Sequence, residues 1–392
     1  MERGLFTEDH EAYRDTVRQF LAREVVPHWE RWDDEHMIDR TVYAKAAETG
    51  LYGLQIGEEY GGAGELDYRY RLVVCEEIAR IGATSFGVTV AVQDDLVLHY
   101  LRDLTNDEQK QRWLPPFAAG TLIGALAMTE PGAGSDLRGI RTRAVADGDD
   151  WILNGQKTFI SCGIMADVVI VAAQTDPEAG SKGFTLFVVE RDMPGFEHGR
   201  QLDKIGLAGQ DTAELFFRDV RVPAANVIGG VGRGLQNLMS HLPRERLGLT
   251  IKAYSQSRAI FEETRRYCAD RVAFGNPIDS LQHIRFELAE MSTELDVAEA
   301  YVDKSVLAYN AGELTPTDAG RGKWYVTDLQ KRVIDRCLQL HGGYGYMREY
   351  HVGRAYIDTR IEPIYGGTNE IMKDLIGREL VGELHPGGSA RR

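Results

Sequence analysis

The sequence has few cysteines, and their spacing excludes several kinds of site. The chain of 392 residues contains four cysteines: Cys75, Cys162, Cys268 and Cys337. They are far apart and form no C-x-x-C pair, which disfavours a disulfide framework and a zinc site. We therefore expect buried free thiols in a reducing compartment, and we predict no metal site.

Long apolar runs and an N-terminal targeting pattern are also lacking. No stretch approaches the ~18 uninterrupted apolar residues that a membrane-spanning helix needs. The opening segment, Met1–Asp9, is too acidic for a transit peptide and lacks the apolar core of a signal peptide. We expect a soluble, cytoplasmic protein with no membrane span.

Basic residues are outnumbered by acidic ones. The formal net charge is −15 and the isoelectric point is near 5.2. Such a chain repels nucleic acid and anionic lipid, so neither is an expected partner. A polyanionic ligand would need local arginine or lysine side chains that act against the overall charge.

Helical and strand patterns divide the chain into three parts. With 43% hydrophobic residues, the chain can bury the cores of two or three domains. In the first part, apolar residues recur at helical spacing from a candidate N-cap, Thr7, to Pro27, and a further helix is expected at residues 70–80. We predict an N-terminal helical domain over residues 1–121.

Near Leu122 the pattern changes to that of strands. Asp147-Gly148 and Asn154-Gly155 are hairpin-type dipeptides. An exposed loop is expected at residues 176–182. The strand-like runs are 168–171, 184–189, 215–217 and 220–222, the last closed by Pro223. We predict an antiparallel β-barrel or sandwich domain over residues 122–233.

From about Gly234 the helical pattern returns. Three long amphipathic runs, at residues 245–270, 281–311 and 316–340, predict an antiparallel four-helix bundle. We assign this C-terminal domain to residues 234–392. The predicted fold class is therefore α+β, with helices, a β-domain and a helical bundle in that order.

Met128–Asp136 is the first segment with a specific signal. It follows an apolar run at residues 123–127, so a strand should end in a Pro-Gly turn whose glycines let backbone N–H groups approach a polar ligand. A plain β-turn is the commoner explanation of such glycines. The nine-residue string, however, resembles the flavin-binding signature of the acyl-CoA dehydrogenases, FAD-dependent enzymes that desaturate fatty acyl thioesters. The resemblance implies that Thr129 hydrogen-bonds the pyrimidine edge of the flavin and that Ser135 lies between cofactor and substrate.

Lys157–Ser161 resembles a second flavin segment of that family. The resemblance implies that Phe159 stacks on the isoalloxazine and that the Ser161 hydroxyl faces flavin N5, where a donor steadies the electron density that arrives with a hydride. Many relatives carry Trp and Thr at these positions, and Phe and Ser keep the aromatic face and the hydroxyl. Without the resemblance, Phe159 is more simply a core aromatic.

Two further segments resemble the family's elements for the pyrophosphate and adenine of FAD. They are Arg271–Gly275, with Gln282, and Gln339–Gly343. An arginine at a helix end suits a diphosphate, although it also complements the helix dipole. No G-x-G-x-x-G lies between a strand and a helix, which excludes a dinucleotide-binding fold. In the family these elements reach FAD across a subunit interface, which implies a homo-oligomer, with a tetramer favoured.

Ile364–Glu370 resembles the family's C-terminal active-site segment, with one departure. Most of the family carries its catalytic glutamate where this chain has Gly366. In the long-chain and isovaleryl branches the base is a glutamate that matches Glu245, within Leu242–Leu247. A glutamate in the first turn of a helix after Pro243 is the plain alternative. The pairing of a glycine at 366 with Glu-Arg-Leu at 245 favours Glu245 as the base.

The chemistry explains why both positions matter. Removal of the proton α to a thioester needs a carboxylate at Cα and donors on the thioester oxygen. By the resemblance, a flavin ribityl hydroxyl and the Gly366 N–H hold that oxygen, and the glycine leaves room for Glu245. Burial beside an acyl chain is expected to raise the pKa of Glu245 above its usual ~4.3. Arg246 matches a family arginine near the substrate, and Glu370 is expected to have no base role.

The resemblance as a whole implies an acyl-CoA dehydrogenase, most similar to the long-chain type, that forms a trans-2-enoyl-CoA and passes electrons to an electron-transferring flavoprotein. An acyl-CoA oxidase or flavin monooxygenase on the same fold, or a non-catalytic acyl-CoA-binding relative, are the alternatives. Gln236-Asn237 departs from the aromatic residues of the long-chain branch and leaves the preferred acyl length open.

The predicted base is Glu245, and the predicted substrate contacts are Ser135, Arg246, Gly366 and Gly367. The predicted FAD contacts are Leu126, Met128, Thr129, Gly134, Ser135, Phe159, Ile160, Ser161, Arg271, Phe274, Gln282, Gln339, Leu340, Gly342, Gly343, Thr368, Asn369 and Glu370.

Overall fold

The computed structural model describes residues 3–384 and has three parts in chain order. A group of helices comes first, a β-sheet follows, and a bundle of long helices completes the chain. Within residues 3–384, no helix combines the length and the apolar character that crossing a membrane requires. The last eight residues of the predicted C-terminal domain lie outside the described residues.

The N-terminal part is helical, and its first helix begins at the predicted cap. Thr7 has extended backbone angles, and its N–H donates to the His10 ring at 3.2 Å. The first helix continues through a wider turn, Leu21–Val25, and the chain leaves it at Pro27. The helices are α1 Glu8–Phe20, α2 Trp29–Glu35, α3 Thr41–Glu48, α4 Tyr68–Ile81, α5 Thr84–Ala91, α6 Leu98–Asp103 and α7 Asp107–Ala118.

The middle part is one eight-stranded sheet of mixed direction. The strands are β1 Gly124–Ala127, β2 Arg143–Asp147, β3 Asp150–Ser161, β4 Val168–Gln174, β5 Phe184–Glu190, β6 Phe196–Gln201, β7 Thr212–Val222 and β8 Val227–Ile228. Their order is β6-β7-β3-β2-β4-β5-β8, with β1 beside β4. Most pairs are antiparallel as predicted, but β1 and β2 both run parallel to β4. Those pairs join strands that are distant in sequence, so no turn dipeptide signals them.

The two hairpin-type dipeptides have different outcomes. The Asp147-Gly148 prediction is confirmed, because β2 and β3 pair from Asp147 opposite Asp150 and Gly148 has a φ of +63°. The Asn154-Gly155 prediction is wrong, because that dipeptide lies inside β3. The β3–β7 register shifts between Leu153 and Gly155, so the glycine marks a β-bulge in a continuous strand.

The C-terminal part is a bundle of long helices. Its helices are α8 Gly234–Asp270, α9 Gln282–Asn310, α10 Pro316–His341, α11 His351–Asp358 and α12 Asn369–Leu384, and two short strands, β9 Val272–Ala273 and β10 Asn276–Pro277, pair between α8 and α9. Pro243 lies within α8, so Glu245 is roughly three turns inside the helix. The alternative that Glu245 is a first-turn glutamate is therefore wrong.

Two apolar clusters fix how the three parts sit together. One joins the N-terminal helices to the sheet, from Phe20 through Val97 to Val188. The other joins α4 to the bundle, where Leu72 packs in the same cluster as Leu247 and Ile251. The N-terminal helices therefore hold the end of the sheet and the middle of α8 against each other. All four cysteines are buried and free.

Candidate functional site

The ends of β1 and β3 are tied together by a buried lysine. The Lys157 ammonium group donates to the Met128 carbonyl at 3.0 Å and to the Glu130 carboxylate at 2.8 Å. The Thr158 N–H donates to the Thr129 carbonyl at 3.0 Å. Burial lowers the pKa of Lys157 to about 8, with Glu130 opposing the shift. Burial acts to raise the pKa of Glu130, but the charge and hydrogen bond of Lys157 outweigh it and the pKa is lowered.

Phe159 projects from this edge of the sheet. Its side chain is 68% exposed, and its φ is +59°, a region that non-glycine residues rarely occupy. The β3–β7 register shifts between Lys157 and Ile160, so a bulge turns Phe159 outward. The alternative of a core aromatic is wrong. An exposed ring held in a strained backbone indicates a binding surface.

The other predicted flavin-side residues lie on β1, on β3 and in the turn that follows β1. Those on or next to the strands are buried or half-buried: Leu126, Met128, Thr129, Ile160 and Ser161. Gly134 and Ser135 are exposed and follow the short turn that a Glu130–Ala133 bridge closes. No described atom lies within 4 Å of the place that a Cβ at Gly134 would take. The backbone there is open to a ligand.

Glu245 is buried on the inner face of α8. It is 4% exposed, and its Oε1 accepts a hydrogen bond from the Tyr100 hydroxyl of α6 at 2.9 Å. Burial raises the pKa of the Glu245 carboxyl; the Tyr100 hydrogen bond and nearby cations, Arg246 and Arg244 among them, offset it only in part. A buried carboxylate of raised pKa is a stronger base than a solvated one.

Gly366 lies against the same helix. Its φ is +64°, and a Cβ there would come within 2.4 Å of Leu249 Cδ1, one turn beyond Glu245. The room left by the glycine is thus filled by Leu249 and not by Glu245, which corrects our expectation. The Gly366 N–H donates to no acceptor among residues 3–384. It remains available to an acceptor on a ligand.

Buried cations hold the segment around Gly366 and Gly367. Lys323 donates to the Gly367 carbonyl at 2.7 Å, and burial lowers its pKa to about 8. Lys252 pairs with the buried Glu362 carboxylate at 2.8 Å and also bonds the Tyr365 hydroxyl. Both lysines lie on long helices of the bundle, so the active-site segment is fixed to α8 and α10.

Arg246 lies beside the same segment. A Cβ at Gly367 would be 4.0 Å from its guanidinium, so these two predicted substrate contacts are neighbours in the structure. The Arg246 Nε is buried and has no hydrogen-bond partner in the described part of the chain. Burial lowers the pKa of Arg246, with Glu245 opposing the shift. Because a buried unpaired cation is costly, the site fits an additional acceptor here.

The start of α12 holds three of the predicted cofactor contacts, Thr368, Asn369 and Glu370. The buried Asn369 side chain donates to the Trp324 carbonyl and accepts from Lys323 and Thr327. Its oxygen is therefore engaged inside the chain, while Nδ2 uses one of its two N–H groups on Trp324. Thr368 is half-buried and its hydroxyl accepts from the Ile371 N–H at 3.3 Å, and Glu370 is exposed in the first helical turn.

The remaining predicted cofactor residues lie on the C-terminal bundle. A cleft of about 520 Å³ is lined by Arg271, Gln339, Leu340, Gly342 and Gly343. Open space surrounds the Cβ positions of both glycines. Phe274 is 94% exposed and Gln282 is exposed, both outside the lining of the cleft. No hydrogen bond within residues 3–384 joins this group to the Phe159 edge.

Sequence reasoning missed several residues that shape the site. Tyr100 is 145 positions from its partner Glu245 and sits in an unremarkable helical pattern. Lys157 was inside a recognised segment, but its burial could not be read from a charged residue type that is mostly exposed. Lys252 and Lys323 fall on polar positions of long helices, where a solvated side chain is the usual expectation. No cluster of potential metal-ligating side chains was found in residues 3–384.

The sequence and the fold match known proteins over nearly their whole length. Models of the N-terminal, middle and C-terminal domains of acyl-CoA dehydrogenase match residues 7–121, 125–220 and 232–381. The mitochondrial long-chain specific acyl-CoA dehydrogenase of Sus scrofa is 46% identical over 381 residues, which is 97% of this chain and 88% of that protein.

Two solved structures illustrate the likeness of fold. The crystal structure of an acyl-CoA dehydrogenase from Geobacillus kaustophilus has a TM-score of 0.94 and 44% identity, and the match covers 97% of this chain and all of that one. A structure described as the electron transferring flavoprotein of Acidaminococcus fermentans has a TM-score of 0.92 and 34% identity, with 97% and 100% covered.

Proposed function

The chain belongs to the acyl-CoA dehydrogenase family, and from that premise we propose that it oxidises a long-chain acyl-CoA to the trans-2-enoyl-CoA with Glu245 as the base. The family is FAD-dependent, and the protein is a flavin-dependent oxidoreductase that acts on acyl-CoA thioesters. The observation that carries the finer proposal is the buried Glu245 carboxylate on α8, the helix whose Leu249 side chain lies against Gly366.

Glu245 is suited to accept the α-proton. Its burial raises the carboxyl pKa, so the carboxylate holds a proton more firmly than a solvated one would. The Tyr100 hydroxyl fixes the position of Oε1. The proton passes from Cα to a carboxylate oxygen, and the bonding electrons it leaves form the new Cα=Cβ bond as hydride leaves Cβ.

The thioester oxygen needs donors while Cα loses its proton. The Gly366 N–H has no acceptor within the described chain and points to this role. Buried Arg246, with its unpartnered Nε, and Lys323 add positive charge around the segment, which stabilises charge that develops on the oxygen. The missing glutamate at 366 suggested a non-catalytic relative; the buried carboxylate at 245 argues against it.

The residues present fit FAD. The exposed Phe159 ring, the half-buried Thr129 and Ser161 hydroxyls and the open turn at Gly134 would hold its flavin end. Arg271, at the cleft on the bundle, would pair with the diphosphate. When bound, FAD supplies the acceptor for the hydride that leaves Cβ.

We further propose a homo-oligomer, with a tetramer favoured, and transfer of electrons to an electron-transferring flavoprotein. The oligomer is supported by the split of the cofactor residues between the Phe159 edge and the bundle, and by the almost fully exposed Phe274. The redox partner is supported by the family and by the structural likeness to the Acidaminococcus fermentans protein. Sedimentation analysis tests the oligomer, and reduction of an electron-transferring flavoprotein in a coupled assay tests the redox partner.

The preference for long acyl chains is supported by the 46% identity to a long-chain specific enzyme. Asn237 is the position that the family comparison left open, and its side chain already donates to the Gly229 carbonyl at 3.2 Å. Because a methylene contributes only about 1–3 kcal/mol to discrimination, a panel of acyl-CoAs of increasing length, scored by the rate of flavin reduction, is the direct measurement.

The experiment for the base is Glu245→Gln in the FAD-loaded protein. The flavin absorbance should no longer bleach when acyl-CoA is added, with a rate at least about 100-fold below wild type, because a general base is worth about 10²–10⁴ in rate. FAD content should stay at the wild-type level. Glu262→Gln on the same helix is the matched control, since that carboxylate only pairs with Arg265 at the surface. Bleaching at the wild-type rate in Glu245→Gln would show that another group takes the proton.

A further inference from the structure

His241 lies next to the candidate base but is not one of the predicted site residues. It is one helical turn before Glu245 on α8, and its ring stacks on the Tyr100 ring with centroids 4.6 Å apart. The hydroxyl of that same Tyr100 donates to Glu245. His241 is thus connected to Glu245 in two ways: both lie on α8, and both contact Tyr100.

Each ring nitrogen of His241 lies near an oxygen atom that can only accept a hydrogen bond, and the Ser240 hydroxyl, 3.2 Å from Nδ1, donates to the Asn237 carbonyl at 2.8 Å. Nδ1 lies 2.8 Å from the Asn237 carbonyl, and Nε2 lies 3.5 Å from a carboxylate oxygen of Asp103. A neutral imidazole has one N–H and cannot satisfy both, whereas an imidazolium can. Burial disfavours the charged ring, but Asp103, the Asn237 carbonyl and Glu245 outweigh it, so the pKa of His241 is raised.

Two other cations, Arg246 and Arg244, also lower the pKa of Glu245, but each by less than His241. The titratable and charged neighbours on α6 and α8 are His99, Tyr100, Arg102, Asp103, Arg244, Glu245 and Arg246. Burial and the adjacent Arg244 hold the pKa of His99 well below its usual range, so His99 is neutral. Arg102 is engaged with Asp103 at 2.7 Å on the exposed side. Asp103, whose pKa is strongly lowered, remains an anion that faces His241.

We propose that His241 is a positioning residue that Asp103 keeps protonated, and that its charge keeps Glu245 ionised in acid conditions and extends the working range of the base to lower pH. The inference rests on the proposed role of Glu245. Burial alone raises the pKa of the Glu245 carboxyl, and a protonated carboxyl cannot act as a base. The cation stacked on the Tyr100 ring opposes that effect.

Loss of the His241 charge can only raise the pKa of Glu245. Below the pKa of His241 the ring is charged and favours the ionised Glu245 carboxylate, so the pKa of Glu245 is lower than burial alone would set. In His241→Gln this support is lost, and the acid limb of the flavin-reduction rate should move to higher pH by about one unit. At any pH well below the limb, the rate should fall about tenfold, and near pH 8 it should be close to wild type.

The test uses single-turnover flavin reduction by acyl-CoA across pH in the FAD-loaded enzyme. His241→Lys keeps a cation and should hold the wild-type limb, while Asp103→Asn removes the anion that stabilises the charge and should shift the limb in the same direction as His241→Gln. His36→Gln, at an exposed histidine, is the control and should leave the limb unmoved. If His241→Gln does not fold, the position of the acid limb in Asp103→Asn still tests the role of His241.

A second readout does not depend on turnover. The infrared C=O stretch of a protonated carboxyl, assigned to Glu245 by its loss in Glu245→Gln, should appear at higher pH in His241→Gln than in wild type. Equal titration of that band in the two proteins, or a uniform loss of rate at every pH, would overturn the role of His241 while leaving Glu245 as the base. Full flavin reduction in Glu245→Gln would overturn both proposals.

Discussion

Replacement of Gly366 by alanine tests the packing that places the active-site segment against α8. The glycine has a φ of +64°, and an L-residue in that region costs about 1 kcal/mol. The new Cβ would also lie 2.4 Å from Leu249 Cδ1, far inside van der Waals contact. Because Cδ1 is the end of a half-buried side chain that can rotate, we place this term near ~1 kcal/mol, the low end for overpacking. Gly366→Ala should therefore destabilise the protein by about 2 kcal/mol.

Gly64 provides a matched control for the backbone term. Its φ is +65°, and no described atom lies within 4 Å of its Cβ position. Gly64→Ala should therefore cost only the ~1 kcal/mol of the left-handed backbone. The difference between the two variants isolates the contact with Leu249. In the Leu249→Ala background, Gly366→Ala should cost about 1 kcal/mol less than in wild type, which is an interaction energy of about −1 kcal/mol between the two positions.

The assay is the thermal midpoint of the FAD-loaded protein, followed by both helical circular dichroism and flavin release. Each kcal/mol should lower the midpoint by roughly 1–2 °C, an extrapolation to this length from smaller domains. Two probes are needed because a chain of three domains need not unfold in one step. Equal midpoints for Gly366→Ala and Gly64→Ala, or no coupling to Leu249→Ala, would refute the view that Leu249 fills the space at position 366.

Two further substitutions test the supports of the base and of the flavin side. Tyr100→Phe removes a hydrogen bond to the ionised form of Glu245, so the carboxyl pKa should rise and the acid limb of flavin reduction should move up by about one pH unit; a limb at the wild-type pH in a single-turnover profile would contradict that bond. Lys157→Met removes the cation that pairs with the buried Glu130 carboxylate and leaves only the hydrogen bonds from Thr142 and Arg141, which should cost about 3 kcal/mol and reduce bound FAD. Normal flavin content in purified Lys157→Met would show that the ion pair does not support the cofactor site.

The elements with local signals were predictable. The cap at Thr7, the Asp147-Gly148 hairpin and the long run that becomes α10 all depend on neighbours within a few residues in sequence. Predictions from local sequence were wrong where contacts between residues distant in sequence determine the structure. Asn154-Gly155 has turn chemistry, yet flanking strands pair along the whole of β3 and absorb the glycine as a bulge.

Pro243 shows the same conflict within a helix. A proline in a helix interior removes one hydrogen bond and costs about 3 kcal/mol, so a helix beginning near 245 was the natural expectation. In the structure α8 runs through it, from Gly234 to Asp270. Asn237 and Leu238 on one side of Pro243 and Leu247 on the other are buried, so continuous packing on both sides outweighs the local cost. Only tertiary contacts carry that information.

The sequence names candidate site residues, but it does not reveal the residues that hold them in place in the structure. The pairing of Gly366 with Glu245 pointed to two positions 121 residues apart, and the structure brings their helix and segment together through Leu249. Tyr100, which bonds the carboxylate, and Lys323, which bonds the Gly367 carbonyl, come from other elements and leave no mark in the motif. A motif names the groups that react, whereas the groups that orient them are chosen by the fold.

The geometry also explains why a base on α8 and a glycine at 366 belong together. A glutamate at 366 would have to occupy a left-handed backbone and displace Leu249, whose helix carries the carboxylate in this chain. Glu245, by contrast, lies roughly three turns inside α8, with buried residues before and after it. The position of the base is therefore fixed by a packed helix and not by a loop. The segment at 366 is then free to serve through its N–H alone, which needs no side chain. A glutamate at 366 and a glutamate base on α8 therefore disfavour each other. In a chain with the carboxylate on α8, glycine at 366 avoids the backbone strain and the clash with Leu249.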